Sequence, residues 1–196
     1  MKYVLLLLAL LGAGSPAAAQ TPLKLPKLHG WVNPLPMDST TGKVSFRAVV
    51  QVPGATQAQL YTRAKEWFAT APGPVKPTLS QADPATGTLS GKASELVMQN
   101  LLGANVQVPL WRSITIQVKP GRFRYIITDF AFDSGQGQGA VTPIENYLTP
   151  NVLTFDANGY PRPVLQSTID AINRSGRQQA SSVRQRVSGK VADDNW

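Results

Sequence analysis

The sequence predicts an α+β domain: one antiparallel β-sheet with a helix in its N-terminal half and a long C-terminal helix, both packed on one face. Three observations predict it. Val44, Phe46, Ala48, Val50 and Val52 alternate with Ser45, Arg47, Val49 and Gln51, the period-2 pattern of a half-buried strand. Leu60, Tyr61, Ala64, Trp67 and Phe68 then recur at helical spacing as one broad apolar stripe. Finally, residues Trp111 to Phe132 fold back on themselves about Lys119-Pro120-Gly121-Arg122. Proline presets φ for the first central residue of such a turn and glycine supplies φ > 0 for the second.

That ribbon organises the rest. Folding about Pro120-Gly121 sets Val118 opposite Phe123, Ile116 opposite Tyr125 and Ile114 opposite Ile127. Side chains alternate along a strand, so these six share one apolar face. Ser113, Thr115, Gln117, Arg124, Ile126 and Thr128 form the other, mostly wet, face. A Pro-Gly turn of type II geometry tends to splay a tight hairpin, so a four-residue loop is an alternative closure that keeps the same facing pairs.

The chain has 196 residues, enough for one domain after an N-terminal leader. Lys2, the apolar run Tyr3 to Leu11 and Ala17-Ala18-Ala19 form a three-part signal peptide over residues 1–19, with cleavage expected after Ala19. The run is short of the ~20 residues a membrane span needs, and no later stretch reaches that length. An exported, soluble protein of the periplasm or extracellular space is therefore expected. Residues 20–41 read as a tail or linker, with Pro22, Pro26, Pro34 and Pro36 favouring extended chain. The domain is expected over residues 42–188, with 189–196 as a C-terminal tail.

Within the domain, Pro53-Gly54 ends the first strand and Thr56-x-x-Gln59 fits a capping box opening the first helix. Arg63, Lys65 and Glu66 fall on its solvated face. The segment APGPVKP ends the helix. TLSQAD and GTLSGKASELVM then read as a hairpin about Asp83 to Gly87, with Leu79, Leu89, Ala93 and Val97 as sparse apolar points. Residues Gln99 to Pro109 read as a connector into the ribbon. After it, DSGQGQGA is a small polar loop, and PIENYLTPN is a short segment able to fold Ile144, Tyr147 and Leu148 onto the domain. Asp156-Ala-Asn-Gly159 lacks the further oxygen ligands of a calcium loop and reads as a turn. From about Arg162 to Val187 a helix carries Leu165, Ile169 and Ile172 at i, i+4 and i+7. Its second half, rich in Arg, Gln and Ser, reads as a polar helix projecting from the core or as a frayed tail.

Four stretches, LPMDSTTGKVSFRAVVQVPG, LYTRAKEWF, GRFRYIITDF and PIENYL, resemble a secreted bacterial family with a TBP-like fold, domain of unknown function 4468. The resemblance spans roughly Leu35 to Ile172 and implies a TBP-like sheet with helices on one face. It brings no activity and no site residues. Its name refers to the TATA-binding protein, yet fold does not fix function, and export separates this chain from the chromosome.

Composition narrows the function. With no cysteine, the chain has no disulfide, thiolate nucleophile or cysteine metal site. Its histidine, His29, lies in the proline-rich tail with nothing to orient it as a base. Neither G-x-S-x-G nor H-E-x-x-H occurs, and Asp129 with Asp133 is the nearest approach to a carboxylate pair. No catalytic residue, metal or cofactor is expected. The formal charge of +8 suits solubility or an anionic partner, and basic charge alone gives only sequence-independent attraction to nucleic acid, so no nucleic-acid partner is expected. The expected function is a non-catalytic binding module for an apolar small molecule or envelope component, held between the sheet and the C-terminal helix. Trp67, Phe68, Trp111, Tyr125, Phe130 and Phe132 are the candidate lining residues. The alternative is an envelope interaction or structural protein using the exposed sheet face and the basic helix, with Arg174, Arg177, Arg184 and Arg186 as candidate anion contacts. A hydrolase ranks below both.

Overall fold

The computed structural model describes residues 31–71, 77–101, 103–133, 141–150 and 154–189. The leader, its cleavage site, His29, the DSGQGQGA loop after Asp133 and the tail beyond residue 189 lie outside the described residues. Among those described are six strands and three helices: β1 (Phe46–Gln51), α1 (Gln57–Thr70), β2 (Thr78–Asp83), β3 (Thr88–Leu101), β4 (Ala104–Lys119), β5 (Arg122–Asp133), β6 (Val141–Pro143), α2 (Glu145–Leu148) and α3 (Pro163–Ser188). The strands form one antiparallel sheet in the order β1-β5-β4-β3-β2, with β6 also pairing with β5.

The central ribbon has the expected register: Val118 pairs with Phe123, Ile116 with Tyr125 and Ile114 with Ile127, and all six are buried. Lys119 pairs with Arg122, so the loop is the two residues Pro120-Gly121. Its tendency to splay is opposed from outside. The Gly121 amide donates to the Ala55 carbonyl and the Gly121 carbonyl accepts from the Val52 amide, each at 2.8 Å. The β1–α1 connection therefore clamps the turn.

Helix α1 starts on the expected capping box, in which Thr56 Oγ1 accepts from the Gln59 amide and Gln59 Oε1 accepts from the Thr56 amide. Its buried side chains are Leu60, Ala64, Trp67 and Phe68. Helix α3 lies beside it, joined by a hydrogen bond from Trp67 Nε1 to Ser182 Oγ of 2.9 Å. Both helices cover the face carrying Leu89, Ala93, Ile114, Ile116, Phe123 and Ile127, and the buried residues form a single core. Among the described residues no helix lies on the opposite sheet face.

Four features depart from the sequence expectation. First, Gln99 to Pro109 is not a connector, because β3 and β4 pair continuously to Leu101 and Ala104. Alternation is hidden there because the inward position holds Gln99, whose Nε2 donates to Thr168 Oγ1 of α3 at 2.8 Å. Second, β5 carries a bulge: Asp129 and Phe130 together oppose Arg112, and Asp129 has φ 55°. The bulge brings Phe130 and Phe132 to the helix face, where strict alternation from Phe123 would turn them outward.

Third, the second half of α3 neither projects nor frays. Gly176, Gln179, Ala180, Val183 and Val187 are buried, and a Cβ on Gly176 would stand 2.3 Å from the Phe46 ring. Small residues let the helix lie close to β1, so its packing face shows few apolar letters. Fourth, the proline-rich segment joins the domain from Trp31 onward. Leu35 is buried, Met37 bridges to Val44, the Ser45 amide donates to the Pro36 carbonyl, and Trp31 stacks edge-on against Phe155. Ser45 is buried beneath this segment rather than wet. As expected, Ile144 and Leu148 pack inward, Tyr147 meets Phe132 edge-on, and Asp156 closes a turn by accepting from the Asn158 and Tyr160 amides.

Candidate functional site

The six aromatic candidates do not line one space. Trp67, Phe68, Phe130 and Phe132 are buried in the core, and Tyr125 is buried beside α3. Phe46 and Phe130 meet edge-on, as do Trp67 and Phe68. Trp111 departs from the expected role: it faces away from the helices and is 38% exposed, because it shares the parity of Ser113 and Thr115. Between the centre of the sheet and α3, the room that a ligand would need is filled by side chains.

Part of that filling is polar, and sequence reading missed it. Arg112 has a side chain 0% exposed, pointing from β4 towards α3. Its Nη1 donates to Glu95 Oε1 at 2.8 Å and to Ser175 Oγ at 2.5 Å, and its Nη2 donates to Gln179 Oε1 at 3.0 Å. The Ser175 hydroxyl also meets Glu95 Oε1. Burial lowers the guanidinium pKa, while the Glu95 carboxylate opposes that shift. The parity of Arg112 with Ile114 and Ile116 was the signal that could have found it. The arrangement ties β3 and β4 to α3. All the groups but Arg112 Nε are hydrogen-bonded, which is the pattern of a structural network.

The uncovered sheet face has a different chemistry at each end. At one end Leu96 is 64%, Met98 51%, Trp111 38% and Val141 49% exposed. Leu96, Met98 and Trp111 are grouped by register, since Leu96 opposes Pro109, Ser94 opposes Trp111 and Trp111 opposes Ala131, while Val141 lies on the far side of β5, opposite Asp133. Diagonal neighbours on one face are within reach of large side chains, so Trp111 adjoins Leu96. At the other end Lys119, Arg122 and Arg124 are exposed, with Arg124 Nε held by Gln117 Oε1 at 3.0 Å, and Lys92, opposite Ser113, lies between the two ends. Between the two ends, Lys43 Nζ pairs with Asp129 Oδ1 at 2.6 Å. Burial pushes the Asp129 carboxyl up, but its hydrogen bonds from Lys43 and Ser113 together with the charges of Lys43 and Lys92 outweigh this and leave it below the ordinary value. Asp129 is thus engaged in an ion pair at the bulge. Among the described residues no group of three or more His, Asp or Glu stands together as a metal site.

The four arginines of α3 separate. Arg177 and Arg184, one i, i+7 pair, face the outer edge of β1, whereas Arg186 lies on the α1 side near Arg63 and Glu66. Arg174 is exposed.

This sheet, with both long helices on one side, is the architecture that the sequence resemblance implies. Residues 46–133 match the family described as Domain of unknown function (DUF4468) with TBP-like fold. The DUF4468 match therefore runs from the start of β1 to the end of β5. Among solved structures, a DUF4468 family protein from Bacteroides ovatus is 18% identical, with a TM-score of 0.59 over 82% of this chain and 94% of that one. A TBP-like protein from Parabacteroides distasonis is 14% identical, with a TM-score of 0.54 over 77% and 96%. At these identities the likeness establishes the TBP-like fold and no activity. No curated protein matches the chain. The DUF4468 match contains Leu96, Met98 and Trp111, while α3 lies beyond it.

Proposed function

We propose that the protein is an exported, non-catalytic interaction module that lays its uncovered sheet face against the anionic lipid surface of the cell envelope. The observation that carries this reading is the apolar patch of Leu96, Met98, Trp111 and Val141 on the face that no helix covers among the described residues. Large apolar side chains grouped on an otherwise polar surface mark an interaction site. Charge selects the partner. The same face carries Lys92, Lys119, Arg122 and Arg124, so a second copy placed face to face would set cations near cations, whereas anionic headgroups would meet them favourably. Tryptophan suits the boundary between headgroups and acyl chains, and basic residues add electrostatic attraction. Among the described residues no helix is long and apolar enough to cross a bilayer, so this is contact with the surface. The leader over residues 1–19 supplies the route to the envelope.

The test is co-sedimentation of the mature protein with vesicles of phosphatidylglycerol and phosphatidylcholine, and with phosphatidylcholine alone. Binding is expected only to the anionic vesicles, weakening with salt, and should fall strongly in Leu96→Ser/Met98→Ser/Trp111→Ser. Equal binding by that variant, or none by the unmodified protein at low salt, overturns the reading.

A further inference from the structure

A second surface lies at the outer edge of β1, away from the apolar patch on β3 to β6. The packed segment Pro34 to Met37 and helix α3 border an open groove of about 680 Å³ along that edge, within the roughly 300–1,000 Å³ typical of small-molecule sites. Leu35, Phe46, Tyr125 and Ala180, each less than a tenth exposed, form its narrow apolar floor, and Arg47, Arg177 and Arg184 give it charge. These cations differ in availability. Arg47 is paired with Asp38 at 3.2 Å. Arg177 holds Asn173 Oδ1 through Nε, and neither it nor Arg184 belongs to an ion pair among the described residues. Two guanidiniums one i, i+7 step apart on α3 thus border the groove with no counter-charge among the described residues. Arg184 is close enough to Tyr125 to oppose the upward shift that burial gives its phenol. Ser45 also borders the groove, but its hydroxyl is buried beneath the surface and has no hydrogen-bond partner among the described residues.

From this we infer that the groove binds a small anionic amphiphile. The carboxylate or sulfonate would be held by Arg177 and Arg184, and the apolar body would lie against Leu35, Phe46 and Tyr125. Guanidinium forks match oxyanions in geometry as well as charge. A cationic amphiphile of equal length is rejected by the same two arginines, and a neutral one gains only the apolar contact.

Titration calorimetry of the mature protein with decanoate, decanol and decyltrimethylammonium, together with 8-anilinonaphthalene-1-sulfonate fluorescence, tests this. Decanoate and the sulfonate dye are expected to bind, decanol more weakly and the cation not at all. Arg177→Gln/Arg184→Gln should weaken decanoate by about tenfold or more, since it removes charge-assisted hydrogen bonds. Both side chains are exposed, so its melting temperature should stay near that of the unmodified protein. Ser181→Trp, an exposed helix position in the groove wall, should block binding by filling the space. Unchanged decanoate affinity in both variants, equal binding of the cation, or no binding of either anion overturns the inference. Vesicle binding through the open face should persist in both variants, so failure of one surface is separable from failure of the other.

Discussion

Removing Glu95 should destabilise the protein more than removing the arginine that it holds. In Glu95→Ala the Arg112 guanidinium stays beneath α3, 0% exposed, with only the neutral Ser175 hydroxyl and Gln179 carbonyl as partners. Breaking a buried pair from one side in this way costs about 3–5 kcal/mol, because the remaining charge is left uncompensated. The Ser175 hydroxyl loses its acceptor as well. Arg112→Met removes the buried charge at similar volume, together with the unpartnered Nε. It leaves Glu95, 10% exposed, with a path to water, so about 1–3 kcal/mol is expected. The double change Glu95→Leu/Arg112→Met should recover at least about 2 kcal/mol relative to Glu95→Ala, since well-packed apolar replacements of buried ion pairs are often close to neutral. Equilibrium urea unfolding followed by circular dichroism measures all three, and the melting temperature should move by roughly 2–4 °C per kcal/mol in a domain of this size. A double variant no more stable than Glu95→Ala would refute the argument, because removing the stranded charge would then have gained nothing.

Two further outcomes follow from the sheet. Ile116→Ala or Tyr125→Ala should cost about 2–5 kcal/mol in the same titration through lost burial and cavity formation, while Thr115→Ala on the open face should cost little; equal costs would contradict the assigned faces. Asp129, with its carboxyl held below the ordinary value, contributes stability that is present above its unfolded pKa and lost as pH falls through the folded one. Asp129→Asn keeps a residue type tolerant of the left-handed backbone, so melting curves between pH 6 and pH 3 should show a shallower acid decline than the unmodified protein; the same decline in both would remove Asp129 from the account.

Much of the fold was legible because the residues concerned use the ordinary periods. The ribbon pairs follow from alternation about Pro120-Gly121, and α1 from its stripe and capping box. What was hidden depends on pairing across the fold. Gln99 and Arg112 occupy inward positions as polar residues because α3 offers Thr168, Ser175 and Gln179 to receive them. Neither half of such a pair is apolar, so neither strand nor helix shows its buried side. Gly176 and Ala180 were unreadable for the opposite reason: they make contact by being small. The aromatic site candidates were chosen for size, which is also what fills a core. Arg177 and Arg184 were found as charge, but only the close approach of α3 to β1 separates them from Arg174 and Arg186.

The bulge in β5 has a consequence for how this strand tolerates change in length. Losing a residue from the middle of a strand ordinarily exchanges inside for outside along all that follows. Here Asp129 is the supernumerary residue: Ile127 points in, Thr128 out, and beyond the bulge Phe130 and Phe132 point in again. A chain lacking Asp129 would therefore read in, out, in, out, in without interruption, each aromatic ring keeping its side and Arg112 facing one residue instead of two. The bridge to Lys43, the hydrogen bond from Ser113 and the local bend would be forfeited. At this point in the strand, a one-residue deletion is milder than many substitutions, and the same deletion two residues earlier, at Ile127, would remove a buried side chain along with the spacing.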